Sequence, residues 1–233
     1  MGVFDKEKRQ EKRLAKARGK AQAAYQQQLQ SWKGALTKAE ELLETARVFS
    51  GTPAAEAEVP LVAKKDERVF LHITGAGLVE PRRLPGQWKG GHSGVSFRIA
   101  KGVHWRVGGT RGTYEQAAEA LSTIDQGDVV ITDKRVVFLG GKQTREWAFA
   151  KLMGVQHDER VGETYMQVSN RQKVSGIGYG AAAAQDVMFR LSLALAHHND
   201  TVEKMVADLE DDVRTLRAER PRDPSLELPP PAA

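Results

Sequence analysis

From Gln126 to Lys173, apolar side chains alternate with polar or small ones, and each run stops at a polar turn. Val129 and Ile131 lead into Thr132-Asp133-Lys134-Arg135, Val137 and Leu139 follow, and Gly140-Gly141-Lys142-Gln143 turns the chain again. A period of two broken by tight turns predicts short antiparallel strands. The pattern also appears upstream, at Val69, Leu71 and Ile73 within Glu67 to Thr74. It recurs at Val95, Phe97 and Ile99, then at Val103, Trp105 and Val107 after a Lys101-Gly102 turn. Pro81 to His92, with Pro85, Gly86, Gly90 and Gly91, predicts a loop, and Tyr114 to Leu121 a short helix. Trp147 and Phe149, Leu152 to Gln156, Tyr165 to Val168 and Lys173 to Ile177 bring the total to about nine short strands, the signature of a barrel or sandwich.

The flanks carry a different period. Leu14, Ala21, Tyr25, Leu29, Trp32, Leu36, Ala39, Leu43 and Ala46 fall on one seam of a proline-free segment rich in Ala, Gln, Lys and Glu. Steps of three and four from Tyr25 onward predict a coiled-coil-like amphipathic helix over residues 1–50. Ser50-Gly51-Thr52-Pro53 stops it, and residues 51–65 read as a linker. Residues 66–219 form the predicted central domain. It ends in one long helix from residue 183, with Val187, Leu191, Leu195, His198, Val202, Met205, Leu209 and Leu216 on one face. The Pro-rich tail, 220–233, is expected to be disordered.

Charge narrows the choice of partner. Lys and Arg number 35 against 30 Asp and Glu, a formal net charge of +5, which favours anionic partners. The N-terminal helix concentrates this charge in Lys6, Lys8, Arg9, Lys12, Arg13, Lys16, Arg18 and Lys20. That cluster suits an anionic membrane surface or, as a lesser alternative, nucleic acid phosphates. The chain contains no cysteine, which excludes disulfides, thiolate metal sites and Cys nucleophiles. Its first residues are charged and lack the apolar core of a signal peptide. A cytoplasmic protein is expected, with a peripheral position at the inner face of the membrane as a variant.

The segment Gly127 to Trp147 resembles the central hairpin of GRAM and bacterial PH-like domains. Ile131-Thr132, the polar pair Asp133-Lys134, Arg135, Val136-Val137, Phe138, Gly140 and Lys142 carry the likeness, and Ala150 to Val155 is similar to the strand that follows there. The block from Ser93 to Asn199 is also similar to uncharacterised actinobacterial proteins with such a domain. The resemblance implies an α+β fold, a small antiparallel β-barrel closed by a long C-terminal helix. It also implies a non-catalytic binding module for proteins or membrane lipids. The stretch Gly75 to Arg82 is poor in basic residues, which argues against phosphoinositide recognition.

No catalytic constellation stands out. The six histidines lack zinc-site spacing, Gly108 to Gly112 and Gly176 to Gly180 match no phosphate-loop pattern, and no Gly-x-Ser-x-Gly elbow occurs. No enzyme activity, cofactor or metal is expected. The candidate ligand-binding residues are Lys134, Arg135, Lys142, Arg145, Arg171 and Lys173, gathered at one barrel end to face an anionic group. A second basic set, Arg98, Lys101, His104, Arg106 and Arg111, lies on the first hairpin. The leading expectation is a protein-interaction or assembly adaptor, with an anionic membrane as the alternative surface. The two helical seams, 14–46 and 198–216, are expected to pack together, within one chain or as a homo-oligomer.

Overall fold

A computed structural model describes the backbone of residues 3–84, 88–100, 103–114 and 118–224, and the side-chain surroundings of residues 12–81 and 121–224. The chain divides into two compact units, Met1–Arg47 with Val206–Ala233, and Val48–Met205.

The first unit is helical. Helix α1 spans Val3–Val48. Ala21, Tyr25, Leu29, Trp32, Leu36 and Ala39 are half-buried along its seam, and Leu43 and Ala46 are buried. Helix α3, Val202–Ala218, crosses into this unit and turns Leu209, Val213 and Leu216 inward. Arg47 reaches Glu210 at 2.6 Å, Arg217 reaches Glu40 at 2.8 Å, and Trp32 Nε1 donates to the Leu216 carbonyl at 2.6 Å. Numbering rises on one helix as it falls on the other, so the pair is antiparallel.

The second unit is a sheet with one helix against it. Its strands are β1 (Thr52–Pro53), β2 (Arg68–Leu84), β3 (Trp88–Ala100), β4 (Val103–Tyr114), β5 (Ala118–Thr132), β6 (Arg135–Gly140), β7 (Thr144–Ala148), β8 (Leu152–Asp158), β9 (Glu163–Val168) and β10 (Ser175–Gly178). The ladder runs β3-β4-β8-β9-β10-β2-β5-β6-β7, with β1 paired to the start of β2. Helix α2, Ala184–His198, lies against β2 and β5. Val129, Val130 and Ile131 are all fully buried, so this part of β5 is covered on both faces.

Several expectations need correction. The sheet is mixed α+β as expected, but among the described residues its ladder does not close into a barrel, and β3 and β7 remain its two ends. One pairing, β4 with β8, is parallel. The predicted loop at 81–92 contributes Pro81–Leu84 to β2 and Trp88–His92 to β3. The predicted helix at 114–121 is strand at Tyr114 and again from Ala118. Glycine and proline at 81–92, and the Ala and Glu of 114–121, point away from strand, but cross-strand pairing outweighs local propensity. The single C-terminal helix is two: Asn199–Thr201 interrupts it, with Asp200 at φ 54°. The linker is not wholly free either. Thr52 pairs with Val69 and Pro53 with Arg68, and Gly51, at φ +80°, leaves no room for a Cβ beside Phe70.

Candidate functional site: a basic cleft beside the last strand

The six basic candidates do not form one cluster. Lys134 and Arg135 stand at the β5–β6 turn, Lys142 at the β6–β7 turn, and β6 separates those two ends. Only Arg145, Arg171 and Lys173 come together. They line one cleft of about 490 Å³ with Glu80 and Pro81 from β2, Thr144 from β7, Asn170, Gln172 and Val174 from the β9–β10 connection and Ser175 at the start of β10.

Arg135 is the clearest departure. It is buried, and its guanidinium closes on Glu67 through Nε at 2.8 Å and Nη2 at 2.9 Å. Nη1 reaches Glu146 at 2.8 Å, and Nη2 also donates to the Val62 carbonyl at 2.8 Å. Glu67 takes further bonds from Thr132 Oγ1 and the Lys64 amide. Burial alone would raise the Glu67 carboxyl, but the Arg135, Lys64 and Thr132 bonds outweigh it and hold it below the ordinary value. This arginine fastens the 62–67 segment to the β5–β6 hairpin. Lys134 Nζ donates to the Lys65 carbonyl in the same region.

At the other turn, Asp125 receives the amides of Lys142 at 2.9 Å and Gln143 at 2.8 Å, as well as its neighbour Gln126. Burial pushes the Asp125 carboxyl up and these three N–H groups pull it lower still, below its usual range. Asp125 lies on β5, and its carboxylate holds this turn.

The cleft has a different character. Arg171 is held in place by three contacts: Nη1 donates to Ser175 Oγ at 3.2 Å, Nη2 to the Glu146 carbonyl at 3.1 Å, and the guanidinium carbon stands 5.8 Å from the Trp147 ring centroid. Trp147 Nε1 donates to the same Ser175 hydroxyl at 3.0 Å, so a buried hydrogen bond anchors the wall beneath Arg171. Arg145 Nε meets Glu80 Oε1 at 2.6 Å, and its Nη1 lies 3.3 Å from the Thr144 carbonyl. Ladder pairing of Phe138 with Arg145 and Val136 with Trp147 turns the Thr144 and Glu146 carbonyls away from β6. Two arginines therefore cover carbonyls at the exposed end of the sheet, a common way to blunt an edge strand.

Two other features look like sites. His157, Thr164 and Tyr179 form a close triangle, with Nδ1 2.9 Å from Thr164 Oγ1 and 2.8 Å from the Tyr179 hydroxyl. His157 and Thr164 are both at 0% exposure, so the triangle lies inside the fold. Burial holds the His157 imidazole below its ordinary value, and the ring is neutral at pH 7. The groove between α1 and α3, about 550 Å³, is lined largely by charges already matched across it, Arg47 with Glu210 and Arg217 with Glu40. Among the described residues no group of three or more His, Asp or Glu could hold a metal ion. No helix there is long and apolar enough to cross a membrane. The side chains of Arg98, Lys101, His104, Arg106 and Arg111, and of Trp88 and Trp105, lie outside the described residues.

Comparison with known proteins gives no match to a family model, to a curated protein or to a solved structure. The chemistry of the cleft is therefore the main guide to function. Sequence reading found Arg145, Arg171 and Lys173 through their charge. It missed Glu80, because nothing local in the sequence pairs position 80 with position 145.

Proposed function

We propose that this chain is a non-catalytic binding module of the PH/GRAM-like kind, an adaptor that meets a protein partner at the Arg145–Arg171–Lys173 cleft. The observation that carries this reading is the fixed Arg171. Its guanidinium is pinned by Ser175, the Glu146 carbonyl and Trp147 at the mouth of an open cleft, so little side-chain entropy is lost when a ligand arrives. The PH/GRAM-like kinship draws support from the motif Ile131 to Phe138, which occupies the β5–β6 hairpin, and from the helix laid across β2 and β5. A non-catalytic role draws support from the ionisable clusters. Arg135 with Glu67 and Asp125 with the β6–β7 turn are engaged inside the fold.

The test is affinity capture from cells that make the protein, with wild type against a variant carrying Arg145→Ala, Arg171→Ala and Lys173→Ala together. Wild type should recover a protein that the triple variant recovers at a small fraction of that level. Equal recovery by a triple variant with native circular dichroism would remove the cleft as the contact surface.

A second reading, docking on an anionic membrane, is favoured by α1. Lys12, Arg13, Lys16 and Lys20 are exposed and fall within about 100° of helix arc, away from the apolar seam.

A further inference from the structure

The cleft already contains a carboxylate. Glu80, on β2, presents Oε1 to Arg145 Nε at 2.6 Å, and its Oε2 stands 3.4 Å from Arg145 Nη2, a side-on approach to the guanidinium fork. Both partners are partly open to solvent, with side-chain exposures of 30% for Arg145 and 21% for Glu80. An exposed pair of this kind contributes little to stability, because water competes for both charges. Its position is more telling than its strength. It occupies the arginine that otherwise points into a cleft whose remaining charges, Arg171 and Lys173, are positive.

We infer that Glu80 is a built-in stand-in for the ligand, and that the cleft takes a carboxylate-bearing acidic segment of a protein partner. This rests on the reading of the cleft as the contact surface. In the bound state an Asp or Glu of the partner takes the Arg145 fork or the free side of the Arg171 guanidinium. Planar guanidinium and planar carboxylate match in two parallel hydrogen bonds, and the carboxylate already seated on Arg145 shows that this fork accepts one. The neutral lining suits a peptide. Thr144, Asn170 and Gln172 offer donors and acceptors to a backbone, and Pro81 and Val174 supply apolar contact. A volume of about 490 Å³ holds a short stretch of chain and is far too small for a folded surface. Glu80 competes with anions of low affinity for the arginine, so the cleft discriminates against single small anions and answers to several carboxylates together.

The experiment uses the full chain, which has no native cysteine, with a single Gln172→Cys carrying an environment-sensitive dye. Hexaglutamate is titrated at low and physiological salt, with hexaglutamine as control. Parallel titrations use vesicles of equal parts phosphatidylserine and phosphatidylcholine, and inorganic phosphate. Hexaglutamate should shift the dye and hexaglutamine should not. Glu80→Gln should tighten hexaglutamate by about fivefold or more by removing the competitor, and Arg171→Ala should weaken it by a similar factor. Glu80→Asp, which keeps the charge on a shorter stem, should tighten binding in the same direction. Glu58→Gln removes an equal charge from an exposed position away from the cleft, and sets the size of the general electrostatic effect. If Glu80→Gln binds no more tightly than Glu58→Gln, the stand-in role is overturned. If the dye answers to vesicles or phosphate and not to hexaglutamate, the ligand is a phosphate group and the carboxylate assignment is wrong. These failures differ from failure of the adaptor reading, in which the triple alanine variant would capture its partner undiminished.

Discussion

Arg135 shows how far a residue's surroundings can reverse the meaning of its charge. Read along the chain it is one of a series of basic turn residues. In the fold its side chain is 9% exposed, that of Glu67 is 0% exposed, and the two share a two-point ion pair. Removing one partner of a buried pair leaves the other charge without compensation. Arg135→Met should therefore cost about 3–5 kcal/mol in urea unfolding, whereas Arg135→Met with Glu67→Leu should recover much of it. A loss under 1 kcal/mol for the single variant would show that the pair is solvated and holds nothing together. Arg171 is the opposite case. It too is fixed by the fold, but at the wall of an open cleft, and that difference separates a structural arginine from a candidate ligand residue.

At the scale of elements, the helical pair follows directly from its period. Steps of three and four along α1 put Trp32, Leu36, Leu43 and Ala46 on the side that meets Val213 and Leu216 of α3, and ion pairs of both polarities border the contact. Within one chain the two helices meet between Trp32 and Arg47. Val213 is 4% exposed, so Val213→Asp puts a carboxylate into the apolar contact. Far-UV circular dichroism should show a loss of helical ellipticity and a lower melting temperature. Unchanged spectra and melting would contradict the pairing. The break between α2 and α3 was not legible in the same way. Asn199-Asp200-Thr201 contains neither Gly nor Pro, and the apolar face runs on in register from His198 to Val202. The turn exists because Asp200 takes a left-handed conformation, which Asp tolerates better than most residues but which no spacing rule detects.

At the scale of the molecule, acid should weaken the fold in two stages. Burial lowers the native values of both His157 and His197; Glu159 and Asp158 act against it at His157, and at His197 the Phe49 backbone and Asp133 act against it while Arg68 adds to it. The unfolded chain therefore takes up protons first, near the ordinary histidine value of about 6.5, and stability declines as pH falls from there toward the native values. Glu67, Asp125 and Glu146 are also held below their ordinary values: burial raises each, and their hydrogen bonds outweigh it. Their contribution is present above about pH 4 and is lost as pH falls through the lowered native values. His157→Gln should flatten the dependence of the urea midpoint between pH 6.5 and 5, whatever it does to the midpoint itself. An unchanged slope there would mean that His157 binds its proton equally well in both states.

The amino-acid sequence by itself determined the two periods, the helical extension, the β-rich middle with its central hairpin, and the mixed α+β class. These are local properties, because a side chain's face depends on its neighbours within a few residues. It also marked Arg145, Arg171 and Lys173 by charge. The tertiary structure alone decided that the sheet stays open among the described residues, that Pro81–Leu84 and Ala118–Leu121 are strand, that Arg135 turns inward, and that Glu80 sits on Arg145. Each of these joins residues far apart in the chain, 65 positions for Glu80 and Arg145 and 68 for Arg135 and Glu67. Pairing at such separations is fixed by the register of strands that meet only in the folded sheet, and one residue of slippage would place every side chain on the other face.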